Sequence, residues 1–462
     1  MQTGIRISSP RALLVAIGGL WCALVMTLSF PGYASFDTAY QWWMARSGEV
    51  SSLWPPTYIY LIKGLELLSP GHGPTLLFFL NVALFAVGAA IVAAQTRSAL
   101  GVIGLAVLLF SPATWVLMPQ IWSDVAVGVV LLLGAALVYT CPPIRSPLRT
   151  ALLVASFALF ALAVGIRHNA IAAVFPLLCW WCSTFIGRSA WAPKVLFLGG
   201  AISLALFASA SLLNQSLTRV KADTWAITAL WDLQAISISR RQLLWPQEFA
   251  PTATLESMKS TFDPINAVST YSLGNDIVVN STLGLTADQR DVLFSAWSHA
   301  IVAYPIDYAK HRTRVMVAMF GNKANPALGM SFGTAQTPFK DNPERKNGPY
   351  SALWNRSAEW LREHGLIHGG YWTGLAGLLI AGCLAASRIS GRSTSTNASQ
   401  AVFALVGSAA LYLASLWVAA PTSDLRYAFW PLVAMWAGAM CALRAVTSRG
   451  EEIGIAKSPP RR

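Results

Sequence analysis

Long apolar stretches recur along the chain, with short polar stretches between them. Each apolar stretch has the length of about 17–25 residues that a helix needs to cross a bilayer. We predict ten such helices, at 12–30, 74–95, 100–118, 124–140, 150–166, 170–187, 195–213, 370–387, 401–420 and 427–446. The pattern therefore predicts an all-α polytopic membrane protein of about ten transmembrane helices, with both termini on one side.

The same pattern divides the chain into four parts. Residues 1–213 form a predicted seven-helix membrane core, and 214–369 is a long polar segment between helices seven and eight. Residues 370–446 add three C-terminal membrane helices, and 447–462 is a basic tail. The segment Leu53 to Leu68 is apolar and aromatic but opens with two prolines, which indicates a location at the outer interface.

The polar segment contains further helical patterns. We predict a helix over Thr286–Ala303, with Asp288 in its first turn and Pro305 after its end. The stretch Pro305–Phe320 is basic and amphipathic, which is typical of a surface helix on lipid headgroups. The stretch 321–350 is rich in Gly, Pro and Asn and predicts a mobile loop.

Composition excludes several classes of protein. The chain is 55% hydrophobic and 11% charged, with a mean hydropathy of +0.51, and a soluble protein carries about a quarter charged residues. The net charge of +13 does not indicate nucleic-acid binding, because no basic cluster with interleaved aromatics is present. The six cysteines lie in or beside apolar runs, which argues against a disulfide framework. Cys179 and Cys182 match C-x-x-C inside an apolar helix, where small buried residues explain the pattern without zinc.

Basic residues give the predicted helices a direction. The short loops opposite the termini hold only Arg46, Lys63, Arg167 and Arg426. Many more lie on the side of the termini: Arg6, Arg11, Arg97, Arg145, Arg149, Arg188, Lys194, Arg388, Arg392, Arg444, Arg449, Lys457, Arg461 and Arg462. The positive-inside rule therefore places both termini in the cytoplasm and the 214–369 segment outside a cytoplasmic (inner) membrane. All six histidines fall outside as well.

Two of the acidic residues in the predicted external loops are candidates for chemistry. Asp37 follows the first helix and precedes Thr-Ala-Tyr-Gln41, where it either caps a helix or accepts a proton from an attacking hydroxyl. The tryptophans beside it favour the functional interpretation. Asp124 follows Ser123 at the start of the fourth helix, where it either caps that helix or binds an acceptor or a metal.

Cationic and aromatic residues stand in the same loops. Arg167, His168 and Asn169 offer several hydrogen-bond donors in one turn, which indicates a phosphate site, although a lone Arg also reaches toward headgroups. Arg426 and Tyr427 open the last helix, where the alternatives are phosphate binding and a structural Asp424–Arg426 pair. The Trp54-Pro55-Pro56 turn predicts either an interfacial anchor or a stacking face for a sugar. Arg312 lies in the amphipathic segment, where headgroup contact comes first and donor phosphate second.

Taken in order, these motifs resemble the GT-C class of integral-membrane glycosyltransferases. The resemblance rests on Tyr33-Ala-Ser-Phe-Asp37-Thr-Ala-Tyr-Gln41, Trp54-Pro-Pro56, Trp122-Ser-Asp124-Val, Arg167-His-Asn169, Tyr304-Pro-Ile-Asp-Tyr308-Ala-Lys-His-Arg312 and Asp424-Leu-Arg-Tyr427. It implies a seven-helix core with an acidic residue in the first external loop, and a polyprenyl-phosphate sugar as donor. Several relatives carry an acidic pair and His-Pro-Pro where this chain has Asp37 and Trp54-Pro-Pro, which leaves the subfamily and the acceptor open.

The resemblance assigns roles to the candidate residues. It implies that Asp37 is the catalytic carboxylate and that Asp124 assists acceptor or metal binding. Arg167 and Arg426 would hold the donor phosphate. The other substrate-binding candidates are Gln41, Trp54, His168, Asn169, Arg312 and Tyr427. No motif indicates a cofactor. The sequence leaves open whether the protein needs a divalent metal, and no set of metal ligands is assigned.

The sequence therefore predicts a hexosyl- or pentosyltransferase in the cytoplasmic membrane. It would move a sugar from a polyprenyl-phosphate donor to an envelope glycan, lipid or protein acceptor at the external face. A polysaccharide polymerase or ligase that uses lipid pyrophosphates is the nearest alternative. A lipid-glycan flippase or transporter is a second alternative, but a transporter places ionisable groups near the middle of the membrane. A non-catalytic assembly partner is a third.

Overall fold

The computed structural model describes residues 10–142, 144–187, 189–249, 251–273, 284–321, 339–389 and 396–447. In these residues the first helices are α1 (Pro10–Leu28), α2 (Phe36–Ser47), α3 (Pro56–Leu68), α4 (Gly73–Ala94), α5 (Ala99–Phe110), α6 (Pro112–Leu117), α7 (Ser123–Tyr139), α8 (Pro147–Ile166), α9 (Ala170–Ile186) and α10 (Pro193–Leu217). The later ones are α11 (Trp225–Arg240), α12 (Leu255–Thr261), α13 (Ala287–Ala303), α14 (Pro305–Phe320), α15 (Ser351–Glu363), α16 (Gly369–Ile389), α17 (Thr396–Ala419) and α18 (Phe429–Thr447).

The predicted fold class is confirmed in the described part of the chain. Six helices are long and apolar enough to cross a membrane (α1, α4, α8, α10, α16 and α17), and three shorter apolar helices, α5, α7 and α9, accompany them. Extended pairing in the described residues is limited to three isolated bridges. The chain is thus an all-α, multi-pass membrane protein. The predicted tail beyond Thr447 and most of the predicted 321–350 loop (322–338) lie outside the described residues.

The prediction of one continuous helix is wrong at one place. The sequence suggested a single helix over 100–118, but α5 ends at Phe110 and α6 begins at Pro112. Pro112 has no backbone N–H to continue the ladder, and the Ser111 hydroxyl caps α6 by accepting from the Thr114 amide over 3.4 Å. The break directs the chain toward Gln120 and Trp122.

Four further helices were not predicted: α2, α11, α12 and α15. The predicted helices over Thr286–Ala303 and Pro305–Phe320 are present as α13 and α14. A capping box starts α13, because the side chains of Thr286 and Gln289 each accept a hydrogen bond from the other residue's backbone amide.

The middle of the bundle is α7, which is buried on almost every side by α4, α8 and α18. Helix α7 is therefore apolar on all sides and has no polar face. α17 packs against both α9 and α18, and α1 packs against α4. Gly128 allows α7 and α18 to approach, since a Cβ at that position would lie 2.6 Å from Cδ1 of Phe429.

Alternating helix directions bring distant loops to one end of the bundle, which we call the site end (residues 29–55, 118–123, 167–169, 218–224 and 420–428). Backbone hydrogen bonds join these loops. The Tyr33 amide donates to Pro119 O over 2.8 Å, and the Ile121 amide donates to Tyr33 O over 3.0 Å. Ser51 forms a bridge with Val220. Backbone hydrogen bonds therefore join loops of the site end into one layer.

The 214–369 segment covers this layer and has an apolar core of its own. α11 packs against α12, α13 and α14, and the core between them includes Trp245, Phe249, Met258 and Leu293. The segment reaches the bundle through a bridge between Asn266 and Thr422 and through contacts of α14 with α17.

Candidate active site

Arg426 lies at the centre of a cluster of three carboxylates at the site end. Its Nη1 donates to Asp37 Oδ2 over 2.7 Å. Its Nε lies 3.0 Å from Asp424 Oδ2 and 3.8 Å from Asp124 Oδ2. The start of α2, the start of α7 and the turn before α18 thus meet at one guanidinium.

Arg167 adds a second guanidinium beside this cluster. Its Nη1 donates to Asp124 Oδ2 over 2.6 Å and to the Ser123 hydroxyl over 3.1 Å. The Tyr427 ring is close to both cations, with its centroid 5.3 Å from Cζ of Arg167 and 5.2 Å from Cζ of Arg426. Arg426 also stacks near Trp122, at 5.1 Å from the ring centroid. Both cations are therefore stabilised by nearby aromatic rings.

The two acidic candidates do not act as helix caps. The N-cap residue of α2 is Ser35 and that of α7 is Trp122, and neither makes a side-chain capping hydrogen bond. Asp37 and Asp124 lie one or two positions inside these helices and turn their carboxylates to arginines. The structural Asp424–Arg426 pair considered from the sequence is present, and the Asp424 side chain also accepts from the Arg426 amide.

The three carboxylates differ in their exposure. The side chain of Asp37 is 28% exposed, whereas that of Asp424 is 8% exposed and that of Asp124 is 2% exposed. Burial raises the pKa of Asp424 from 3.8 to about 6, although Arg426 acts in the opposite direction. Asp37 is therefore the accessible carboxylate of the cluster, and Asp124 is a buried charge that holds both arginines.

His168 belongs to a neighbouring hydrogen-bond chain. Asn214 Oδ1 accepts from the Thr57 amide over 3.0 Å, which fixes Nδ2 as the donor end of that side chain. Nδ2 lies 2.9 Å from His168 Nε2, so this ring nitrogen is the acceptor and the imidazole is neutral. Partial desolvation lowers the pKa of His168 in agreement with this assignment.

A cavity of about 780 Å³ opens beside these groups. It is bordered by the exposed carboxylate Asp37 and by the guanidinium groups of Arg167 and Arg426. Candidate residues Trp54, His168, Asn169 and Tyr427 also border it. Its remaining walls come from the last two turns of α10, the end of α17 and the 214–369 segment, including Trp225 and Trp297.

Three candidates lie away from this cavity. Gln41 is buried in α2 with 2% exposure, and Asp124 lies behind Arg167. Arg312 corrects the sequence analysis, because it is 1% exposed and its Nη2 donates to Asp232 over 2.5 Å. The prediction that Arg312 contacts lipid headgroups directly, or a donor phosphate in the cavity, is therefore wrong. The amphipathic pattern of α14 placed it on the surface, while the structure buries it against α11.

Tertiary hydrogen bonds hold the helix that carries Asp37. The Thr38 hydroxyl donates to Ile121 O over 2.7 Å, and Asn342 Nδ2 donates to Ala39 O over 2.7 Å.

Within the described residues, no group of three His, Cys, Asp or Glu side chains is arranged to hold a metal ion. The carboxylates near the cavity are instead directed to arginines.

Sequence reasoning missed two polar residues that build the site. Asn214 orients His168, and Asp232 pairs with Arg312. Asp232 stands in the apolar run Ala229-Leu230-Trp231-Asp232-Leu233, whereas Asn214 follows Leu212 and Leu213 and precedes the polar residues Gln215 and Ser216. A single amide or carboxylate in such a run indicates a buried partner, but its position does not reveal which partner.

No protein-family model and no curated protein matches the chain. Among solved structures it is similar to the Saccharomyces cerevisiae protein O-mannosyltransferase Pmt1-Pmt2 complex bound to the sugar donor, with 15% identity, a TM-score of 0.35 and coverage of 48% of this chain and 36% of that chain. It is also similar to ArnT from Cupriavidus metallidurans bound to undecaprenyl phosphate, with 15% identity, a TM-score of 0.32 and coverage of 95% of this chain and 77% of that chain. The chain thus spans about a third of the yeast chain. The likeness assigns no activity to this chain.

Proposed function

We propose that the protein is a membrane glycosyltransferase that takes a sugar from a polyprenyl-phosphate donor. The observation that carries this proposal is one cavity bordered by an accessible carboxylate and two guanidinium groups, at the end of a membrane-spanning bundle. A lipid-borne phosphodiester offers the matching features: a sugar to transfer, a negative charge and an apolar tail.

The carboxylate suits the attack on the sugar. As the acceptor oxygen bonds to the anomeric carbon, its proton passes to Asp37, the exposed carboxylate of the cluster. The bond from the anomeric carbon to the phosphate oxygen breaks, and the electron pair stays with that oxygen. Arg426 holds Asp37 Oδ2 at 2.7 Å, which fixes the carboxylate at the cavity.

The guanidinium groups suit the departing phosphate. Arg167 and Arg426 both border the cavity and are fixed by Asp124 and Tyr427. Fixed cations at the place where charge develops stabilise the transition state without reorganisation. Arginine is also the side chain whose planar donors match phosphate oxygens.

The cavity offers separate places for the tail and for the acceptor. Its wall at the ends of α10 and α17 adjoins the exposed apolar side chains Leu212 and Val418, so a polyprenyl chain leaving there stays among apolar groups. The lining also includes the hydroxyl residues Ser52, Thr224 and Thr228 and the aromatic residues Trp54 and Trp225, which suit a hydroxylated acceptor.

The charge distribution along the chain supports an external location for this reaction. Short loops away from the site end are rich in Arg and Lys, so the site end would face outward from a cytoplasmic membrane. Asp124 at its first turn is the one Asp, Glu, Lys, Arg or His residue of α7, which argues against a transport path through the bundle. The acceptor would be an envelope glycan, lipid or protein.

Analysis of lipid-linked sugars tests the proposal. In a deletion strain, the single-sugar polyprenyl phosphate should accumulate and one envelope glycan should lose a sugar. The wild-type gene and the Asp341→Asn variant should reverse both changes, since Asp341 is an exposed partner of Arg46. The Asp37→Asn variant should reverse neither. Accumulation of lipid-linked oligosaccharide would instead support a polymerase, and full complementation by Asp37→Asn would contradict the proposed mechanism.

A further inference from the structure

A buried ion pair inside the 214–369 segment joins two of its helices. Asp232 of α11 is 0% exposed and Arg312 of α14 is 1% exposed. Asp232 Oδ2 accepts from Arg312 Nη2 over 2.5 Å and from Trp297 Nε1 over 2.9 Å. Arg312 also lies 5.7 Å from the ring centroids of Trp231 and Tyr308. The charges are fully enclosed, so each depends on the other.

The same pair reaches two parts of the candidate site. Arg312 Nη1 donates to Ala420 O over 2.8 Å, at the end of α17. Ala420 begins the 420–424 loop, which leads directly to Asp424 and Arg426. Trp297, the other partner of Asp232, borders the cavity.

Two backbone hydrogen bonds hold the rest of this loop. The Ala267 amide donates to Pro421 O over 2.9 Å, and the Ser423 amide donates to Ile265 O over 2.9 Å. Together with the Arg312 bond, they attach the 420–424 loop to the 214–369 segment at three successive points. Of the three, only the Arg312 bond comes from a charged side chain, and such bonds are the stronger kind.

We infer that Arg312 and Asp232 are positioning residues for the proposed transfer reaction, which hold Arg426 and the Trp297 wall in register with Asp37. This inference rests on the proposed function, because Arg426 is there a holder of the donor phosphate. The pair itself lies outside the cavity and touches no reacting atom. Its effect passes through the 420–424 loop and through the indole of Trp297.

The double substitution Asp232→Asn with Arg312→Met separates positioning from folding. It removes both buried charges together, and replacing a whole buried pair is tolerated better than removing one partner. The Asn side chain still offers an oxygen to Trp297 Nε1, while the hydrogen bond to Ala420 O is lost. Arg312→Lys is the second variant, because it keeps one charged donor between Asp232 and Ala420 but not the planar fork.

Amide hydrogen exchange and steady-state kinetics are the two measurements. In the double variant the Ser423 and Arg426 amides should exchange about 10-fold faster, since one charge-assisted bond of the loop is gone. Donor KM should rise by a similar factor of about 10, with a smaller change in kcat, because Asp37 keeps its place. A purely structural defect would lower the active fraction and leave KM unchanged. Arg312→Lys should give intermediate values of both.

A matched control exists on the same two helices. Arg240 of α11 and Asp307 of α14 also form an ion pair, with Nη2 2.5 Å from Oδ2, but Arg240 is 44% exposed and the pair does not touch the 420–424 loop. Arg240→Gln with Asp307→Asn should therefore leave both exchange and KM at wild-type values. A change as large as that of the double variant would contradict a specific role for Arg312.

Each outcome decides the inference. A folded double variant with wild-type exchange at Ser423 and Arg426 overturns it. If the double variant loses exchange protection throughout α11 and α14, Arg312→Lys decides by the same readouts. Absence of transferase activity in the wild-type protein would remove the proposed function, whereas the exchange measurement would still test whether Arg312 holds the loop.

Discussion

Arg426 donates a hydrogen bond to Asp37 over 2.7 Å, although 389 positions separate the two residues along the chain. The carboxylate belongs to α2, after the first helix, and the guanidinium belongs to the turn before the last helix. The candidate site is therefore complete only when both ends of the described chain are packed together. The roles of its residues can be tested by separate substitutions.

Asp37→Asn should lower the rate of transfer by about 10²–10⁴-fold, because the amide cannot take up the acceptor proton. Its oxygen can still accept from Arg426, so thermal unfolding should stay near that of the wild type. Transfer from a radiolabelled polyprenyl-phosphate sugar by the purified protein measures the rate. Asp341→Asn is the control, since its partner Arg46 lies 3.6 Å away at the surface. Near-normal transfer by Asp37→Asn would eliminate this residue as the base.

Arg426→Lys should raise the donor KM by about 10-fold, since an ammonium keeps the charge but loses the planar set of donors. The charge that remains still partners Asp424 and Asp124, which limits the loss of stability. Donor titrations at saturating acceptor measure KM. Arg46→Lys, at an exposed pair, should leave KM unchanged. An equal KM for both variants would show that Arg426 does not contact the donor.

Asp424→Asn should remove a pH dependence of stability. Burial raises the pKa of Asp424 from 3.8 to about 6, so the folded protein favours the protonated carboxyl. The stabilisation from this group is complete below about pH 4 and is lost as pH rises through about 6. The wild type should therefore lose up to about 3 kcal/mol relative to the variant between pH 4 and pH 7.

Thermal unfolding of both proteins between pH 4 and pH 8 measures this difference. The Asn side chain keeps an oxygen for the Arg426 amide, so the turn that follows Asp424 should persist in the variant. A difference in Tm that stays constant with pH, or one that changes in the opposite direction, would show that Asp424 is ionised throughout.

Gly128→Ala should destabilise the bundle by about 1–3 kcal/mol, the usual effect of overpacking. The new Cβ would lie 2.6 Å from Cδ1 of Phe429, a buried residue that starts α18 three positions after Arg426. Displacement of that ring should also raise donor KM. Gly64→Ala is the control, because a Cβ added there would meet no atom within 4 Å apart from its own helix backbone and chain neighbours, and the change should stay within about 1 kcal/mol.

The membrane helices could be predicted because lipid demands long apolar runs, and α4 shows this most clearly. The break at Ser111 was missed, although Pro112 was a visible signal. α2 and α11 were missed because neither has the length of a membrane span, and their burial depends on tertiary contacts. Sequence alone could therefore give the bundle but not the layer that covers its end.

The sequence identified residues that border the candidate site, but it did not show which side chains form ion pairs with each other. Asp37, Arg167 and Arg426 were singled out by their loops, and the cavity brings them together. The interpretation of Arg312 failed because its partner Asp232 is 80 positions away and buried. A charged residue on an amphipathic helix has the same pattern whether it faces lipid or an enclosed carboxylate.

Tyr427 and Asp124 have one more consequence for Arg167 and Arg426. A free arginine side chain loses about 2 kcal/mol of rotamer entropy when it is immobilised. Here the Tyr427 ring, which is close to both guanidinium groups, and the shared carboxylate oxygen of Asp124 restrict both side chains in the folded protein. That entropy is lost when the chain folds, before any phosphate arrives. Affinity for an anion therefore depends on preorganisation by two residues that need not touch it.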